Sequence, residues 1–376
     1  MDGRENTAIP FRIRKLTSDT LALAFTAGAV SSLSNLLILP VVLFHLSPEE
    51  FGFVGLILFI SIISSTSFLL GTQSSISVNY HTQKDFGSNE TLLGNIIIVA
   101  FTLWFLSLSI VYLLGSIIGL FKLSNAIFAI VAIISISQSI ELVAISSLKI
   151  RAQNSSIARL SLLKASIQII LVLYLASIDS LDETSRLATE AIVFFTSMLF
   201  CTFYIHDKVS LSLDFDLISK ITKFGFPILL HTIFIAALFG LDRVMIEFLM
   251  NREMLGIYTL GYSIAMILAF FTESISSAWT SYFYESNSTT DSFGYETFLA
   301  TYPVISVFIS ICHCMLIMSI PIIFRLFSIE GAYLQSVDIV PLISLGVLLH
   351  GNYLIFAKPL VWKKKTALYG PGSWGS

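Results

Sequence analysis

Charge is what this sequence has least of. Only 12% of its 376 residues are Asp, Glu, Lys or Arg, against about 25% in an ordinary soluble domain. Over half of the chain, 55%, is hydrophobic. A globule in water cannot hide so much apolar surface, because much of its own surface must be solvated, so a water-soluble fold is excluded. The net charge of −3 supplies no basic field for nucleic acid. Cysteine is scarce too: Cys201, Cys312 and Cys314 all lie in apolar runs, and no disulfide framework follows. Cys312-His313-Cys314 lacks the spacing and the four ligands of a zinc site and reads as buried core. HExxH, GxSxG and Walker-type phosphate loops are also missing.

Long apolar runs are what the sequence does have. A bilayer core about 30 Å thick needs about 20 apolar residues per helix. That length predicts spans at 20–44, 51–78, 92–120, 126–148, 157–178 and 187–205, then at 224–250, 255–283, 298–324 and 337–357. The basic start, through Lys15, precedes an apolar run too long for a signal peptide core, so the first span is expected to be retained. The fold class is an all-α polytopic membrane protein of about ten transmembrane helices. Its expected organisation is a cytoplasmic segment at 1–19, a first six-helix lobe at 20–206, a cytoplasmic linker at 207–223, a four-helix second lobe at 224–357, and a basic tail at 358–376. Every loop is too short to be a domain, so the protein's work is expected within the bundle or at its rims.

Lys and Arg in the short loops set the orientation. With the N-terminus in the cytoplasm, the opposite side holds only Lys122, Arg186, Arg252 and Arg325. Lys164 and Arg243 fall inside spans, and every other Lys and Arg lies on the cytoplasmic side. The bias supports an even number of spans with both ends inside.

One internal repeat is present. His45-Leu-Ser-Pro-Glu49-Glu-Phe-Gly52 joins spans one and two, and Leu249-Met-Asn-Arg-Glu253-Met-Leu-Gly256 joins spans seven and eight. A constant offset of 204 carries Glu49 to Glu253 and Gly52 to Gly256. The positions suggest a duplicated six-helix unit in parallel orientation. Repeated bundles around a central cavity are the architecture of alternating-access transporters.

Lys223-Phe-Gly-Phe-Pro227-Ile-Leu-Leu-His231, then Gly240-Leu-Asp242-Arg243-Val-Met-Ile246, then Gly256-Ile-Tyr258 resemble the polysaccharide-export branch of the MOP flippases. That branch contains the Wzx-type O-antigen and capsule repeat-unit flippases. The Leu46-Ser-Pro-Glu-Glu-Phe-Gly52 turn is similar to the family's first outside loop. The resemblance covers roughly 15–365 and implies two six-helix lobes, so the second lobe is expected to be truncated at its C-terminal end. It further implies a polyprenyl-pyrophosphate-linked oligosaccharide as substrate, with membrane lipid and other polysaccharide-assembly proteins as partners. Activity would be transport in the bacterial inner membrane, with no enzymatic step and no cofactor beyond a coupling H⁺ or Na⁺.

Ionisable residues within a span are functional candidates by default, because hydrocarbon disfavours them by roughly 2.5–3.5 kcal/mol. They are Glu141, Lys164, Asp242, Arg243 and Glu273, with Glu247 nearer the outer edge. Arg243 and Glu247 lie one helical turn apart and are expected to pair, leaving Asp242 for the cavity or a partner helix. Arg243 is the expected pyrophosphate contact, since its planar fork binds phosphate oxygens in pairs. The alternative is that Asp242 and Arg243 pin helix seven to its neighbours. Lys164 and Glu141 lie at similar depth, so they either form an interhelical ion pair or leave Lys164 to meet an entering phosphate. Glu273 either binds a coupling ion or is a hydrogen-bonded core carboxyl. Asn35, Gln168 and His231 are polar groups suited to sugar hydroxyls, or to packing between helices. Two other functions stay open: a drug or organic-cation exporter of the same superfamily, which would use Glu141, Asp242 and Glu273, and a membrane-embedded polymerase or acyltransferase. The short outside loops speak against the second.

Overall fold

The computed structural model describes residues 30, 33–82, 86–118, 124–151, 153–238, 240–287 and 293–362. Among these every regular element is helical. In chain order they are α1 (Leu33–His45), α2 (Pro48–Phe68), α3 (Ser74–Thr82), α4 (Asn89–Ile118), α5 (Asn125–Ile150), α6 (Asn154–Ser177), α7 (Glu183–Ile205), α8 (Phe215–Leu238), α9 (Leu241–Leu249), α10 (Arg252–Asn287), α11 (Phe293–Leu326) and α12 (Ile339–Trp362). Nine of the described helices are long and apolar enough to cross a bilayer. The segment 1–19, the first part of the span expected at 20–44 and the tail beyond Trp362 lie outside the described residues.

Helix starts follow local chemistry. Ser47 and Glu50 form a reciprocal capping box at α2, with Pro48 in the first turn. Asp182 and Ser185 do the same for α7. Asp214 Oδ1 accepts from Leu217 N at 3.0 Å, so α8 begins at Phe215. The linker expected at 207–223 is therefore largely the first turns of this helix. Its remainder is tied to α4: Asn95 Nδ2 donates to Ser212 O at 2.9 Å, and Asn95 Oδ1 accepts from Asp214 N at 3.0 Å.

Two expected spans prove to be broken. The apolar run at 51–78 is α2 and α3, separated by Leu69–Gln73, where Leu70 and Gly71 take positive φ values of 47° and 70°. Polar backbone in a membrane must find partners, and the turn supplies its own. Thr72 N donates to Leu69 O at 2.8 Å and Ser74 N to Gly71 O at 3.1 Å. The run at 224–250 is α8 and α9. The Phe59 ring of α2 occupies the place of a side chain at Gly240, beside this break, so only glycine fits there. The segments after the breaks, α3 with Ser74, Ser75, Asn79 and His81 and α9 with Asp242, Arg243 and Glu247, are the more polar side of each run.

The helices before and after the expected linker meet along α2 and α10. A Cβ on Gly52 would lie 2.6 Å from Gly256 N and 2.8 Å from Arg252 O, and one on Gly256 would overlap the Pro48 carbonyl. Tyr333 adds a hydrogen bond to Leu46 O at 3.1 Å. One apolar core is continuous from Val42, Phe51 and Ile57 to Leu260, Ile264, Phe324 and Val340. The turn between α2 and α3 touches α8, where Gly71 packs against Gly225. Large apolar side chains such as Phe105, Phe203, Phe248 and Met318 stay exposed, as a lipid-facing surface requires.

Candidate functional site: a polar cavity in the second lobe

A cavity of about 490 Å³ opens between α8, α10 and α12. Its apolar walls are Ile235, Met266, Ala269, Val347 and Leu354, and its polar groups are Tyr262, Thr272, Glu273, Ser276 and His350. The polar members recur at helical spacing on α10, which puts Tyr262, Glu273 and Ser276 on one face.

The expected pairing of Arg243 with Glu247 is not formed. Glu247 Oε1 instead accepts from Arg252 Nε at 2.9 Å. The Arg243 guanidinium lies over the Tyr262 ring, 4.3 Å from its centre, a cation–π contact with a residue that lines the cavity. Its buried Nε has no hydrogen-bond partner among the described residues. Asp242 is taken by two donors, the Tyr258 hydroxyl and the Arg243 backbone N–H. These contacts fasten the short helix α9 to α10. Sequence spacing missed them because Tyr258 and Tyr262 stand on the next helix, α10, and spacing along one helix does not fix contacts between two. His231 is exposed on α8 and is not among the residues lining the cavity.

The other expected site residues gather in the first lobe. Lys164 on α6 donates to both oxygens of Glu141 on α5, at 2.8 and 3.1 Å, so the ion-pair reading describes the structure. Ser197 Oγ of α7 donates to Glu141 Oε2 at 2.6 Å, and Lys164 lies 4.2 Å from the centre of the Phe194 ring. Asn35 and Gln168 join a second group: Gln168 Nε2 donates to Asn35 Oδ1 at 3.0 Å and to Glu190 Oε1 at 2.9 Å.

Sequence reasoning overlooked two members of that group. Glu190 stands inside span six, and Arg186 is in the first turn of α7, buried rather than in the outside loop. Their spacing of one helical turn was the available signal. Among the described residues no set of three His, Cys, Asp or Glu side chains could hold a metal.

Together the fold and the cavity define a multi-pass helical membrane protein. A family described as polysaccharide biosynthesis protein matches residues 45–338, and the chain belongs to that family. Two solved structures share the fold. One is the inward-facing conformation of a multidrug resistance MATE family transporter of the MOP superfamily, with a TM-score of 0.61 and 15% identity over 91% of this chain and 80% of that one. The other is the MATE multidrug transporter DinF-BH, solved in complex with a ligand, with a TM-score of 0.54 and 16% identity over 94% of this chain and 84% of that one. No curated protein matches the sequence.

Proposed function

We propose that the chain is a Wzx-type flippase, which moves an oligosaccharide carried on a polyprenyl pyrophosphate across the bacterial inner membrane. The observation that carries this reading is the cavity, a polar recess in an apolar bundle of the polysaccharide biosynthesis family. Glu273, His350, Thr272 and Ser276 offer the donors and acceptors that sugar hydroxyls need, and Tyr262 offers a ring face. Arg243, held over that ring with an Nε that has no hydrogen-bond partner among the described residues, supplies the cation and paired donors that suit a pyrophosphate. The polyprenyl chain stays in lipid, since each CH₂ moved into water would cost about 0.8 kcal/mol. No covalent step is needed; the substrate must only bind the inward-open and outward-open states in turn. A driving H⁺ or Na⁺ would be taken up at Glu273. The N-terminus lies in the cytoplasm on this reading, as the Lys and Arg distribution suggests, and other polysaccharide-assembly proteins hand over and receive the substrate.

Export of organic cations is the second reading. Glu273 in the cavity favours it, and so does the fold shared with multidrug transporters.

The deciding experiment deletes the gene and complements it with this chain, reading long-chain surface polysaccharide and lipid-linked repeat units. The flippase predicts loss of polymer with intermediates accumulating in the inner leaflet. This chain should restore the polymer, and Arg243→Ala should not. Normal polysaccharide in the deletion strain, with raised sensitivity to cationic dyes, would establish the exporter instead.

A further inference from the structure

The cavity takes its α10 lining from Tyr262 onward. The opposite end of the bundle, where α2, α7 and α10 begin, is a tight seam between helices before and after the expected linker. Arg252, the first residue of α10, stands at that seam by backbone and by side chain. A Cβ on Gly52 of α2 would lie 2.8 Å from the Arg252 carbonyl oxygen. The Arg252 guanidinium lies over the Phe53 ring of α2, 4.7 Å from its centre, a cation–π contact. Its Nε donates to Glu247 Oε1 of α9 at 2.9 Å.

Carboxylates stand on the other side of the seam. Glu183, the first residue of α7, is close enough to Glu50, Asp182 and Arg252 to feel all three charges. Glu50 and Asp182 are fixed in place, since each belongs to the capping box of its own helix. Arg252 therefore supplies the positive side of an attraction across the seam, and the carboxylates before the linker supply the negative side. Lys164, Arg186 and Arg243 differ, because Glu141, Glu190 and the Tyr262 ring hold them from their own side of the linker. Tyr333 also crosses the seam, but its bond to Leu46 O is neutral. The Arg252 side chain is 51% exposed, so water reaches it and the attraction can be broken and remade.

We propose that Arg252 is a charged latch on this end of the bundle, holding α10 to α2 and α7 through Phe53 and through attraction to Glu183, Glu50 and Asp182. On the topology proposed above this is the outer end, so the latch sets how readily the bundle opens outward. The inference rests on the reading that the chain alternates between two openings. No substrate enters its test, so failure of the latch leaves the choice of substrate untouched.

The test measures the width of this end by electron–electron distances between spin labels at Ser180→Cys and Glu330→Cys. Both positions are exposed, and they adjoin Leu181 and Ile329, which share one core with Leu46 and Tyr333. The parent is the full chain in lipid nanodiscs at pH 8, with Cys201, Cys312 and Cys314 replaced by Ala. It should show one short distance. Arg252→Gln should raise a longer-distance population by about fivefold, the effect of one partly exposed ion pair. Arg252→Lys, which keeps the charge, should stay near the parent. Glu183→Gln should widen the parent to a smaller extent and add nothing to Arg252→Gln, whose half of the attraction is already gone. An unchanged distribution in folded Arg252→Gln would overturn the latch, and so would equal effects of Glu183→Gln with and without Arg252. If Arg252→Gln fails to fold, Glu183→Gln in the parent decides: a wider end supports the latch, and an unchanged one overturns it.

Discussion

Gly52 of α2 and Gly256 of α10 meet backbone to backbone, and they are the two glycines that the 204-residue offset equates. Gly52 packs against the Arg252 carbonyl and Gly256 against the Pro48 carbonyl. Arg252 is itself the counterpart of Pro48 by that offset. The contact is therefore isologous, as at the two-fold axis of a symmetric dimer. Gly55 against Thr259, another equivalent pair, extends it. Two short sequence matches could arise by chance; matches whose residues also touch in exchanged order support a duplicated unit.

Gly256→Val should damage folding severely. Its branched side chain would press on the Pro48 carbonyl, where backbone on both helices must move. Overpacking typically costs about 1–3 kcal/mol, and this site should reach the top of that range. Gly346→Ala is the control, because nothing lies within 4 Å of a Cβ there; a helical Gly→Ala change should be neutral or stabilising by up to about 1 kcal/mol. Thermal unfolding in detergent measures both.

Glu141→Gln and Lys164→Met should each destabilise the first lobe, and the double variant should recover most of the loss. Removing one partner of a buried pair costs about 3–5 kcal/mol. Here the Lys164 and Glu141 side chains are 22% and 11% exposed, so solvent screening brings the expected loss to the lower end. A double-mutant cycle on Tm gives the coupling. Additive losses would mean that the pair contributes nothing as a pair.

Tyr258→Phe should loosen α9. Asp242 would lose the hydroxyl that holds it, at about 1–2 kcal/mol for a part-buried bond to a charged group. Tyr262→Phe keeps a ring beneath Arg243 and should retain transport, whereas Tyr262→Ala should lose it. Comparison of Tm with polysaccharide restoration separates loss of α9 docking from loss of transport.

Gly71→Ala should be poorly tolerated for two reasons that add. Its φ of 70° costs an L-residue roughly 1–2 kcal/mol, and the new methyl would meet the Gly225 carbonyl of α8. Gly225→Ala suffers only the second effect and should lose less. Equal losses would show that the close approach, not the backbone conformation, dominates.

The spans were largely legible, since a run of about 20 apolar residues has few other homes. Glu141 and Lys164 were legible as well, because two opposite charges at one depth in lipid have strong reason to meet. Asn35 and Gln168 were recognisable as polar residues in apolar runs, though not as partners. Arg186 was assigned to a loop because hydropathy places a charge near a span's end outside it, while the Asp182 capping box starts α7 early enough to bury it.

By itself, then, the sequence determined that this chain lives in a bilayer and in helices. Those properties depend on composition and spacing, which a linear chain already contains. The tertiary structure decided where helices break, that Arg243 rests on Tyr262, that Arg252 takes Glu247, and that the cavity lies between α8, α10 and α12. In a chain apolar on nearly every face, periodicity cannot distinguish a side turned to lipid from a side turned to another helix. Facing is settled by close approach at small residues and by the few polar groups that must find one another.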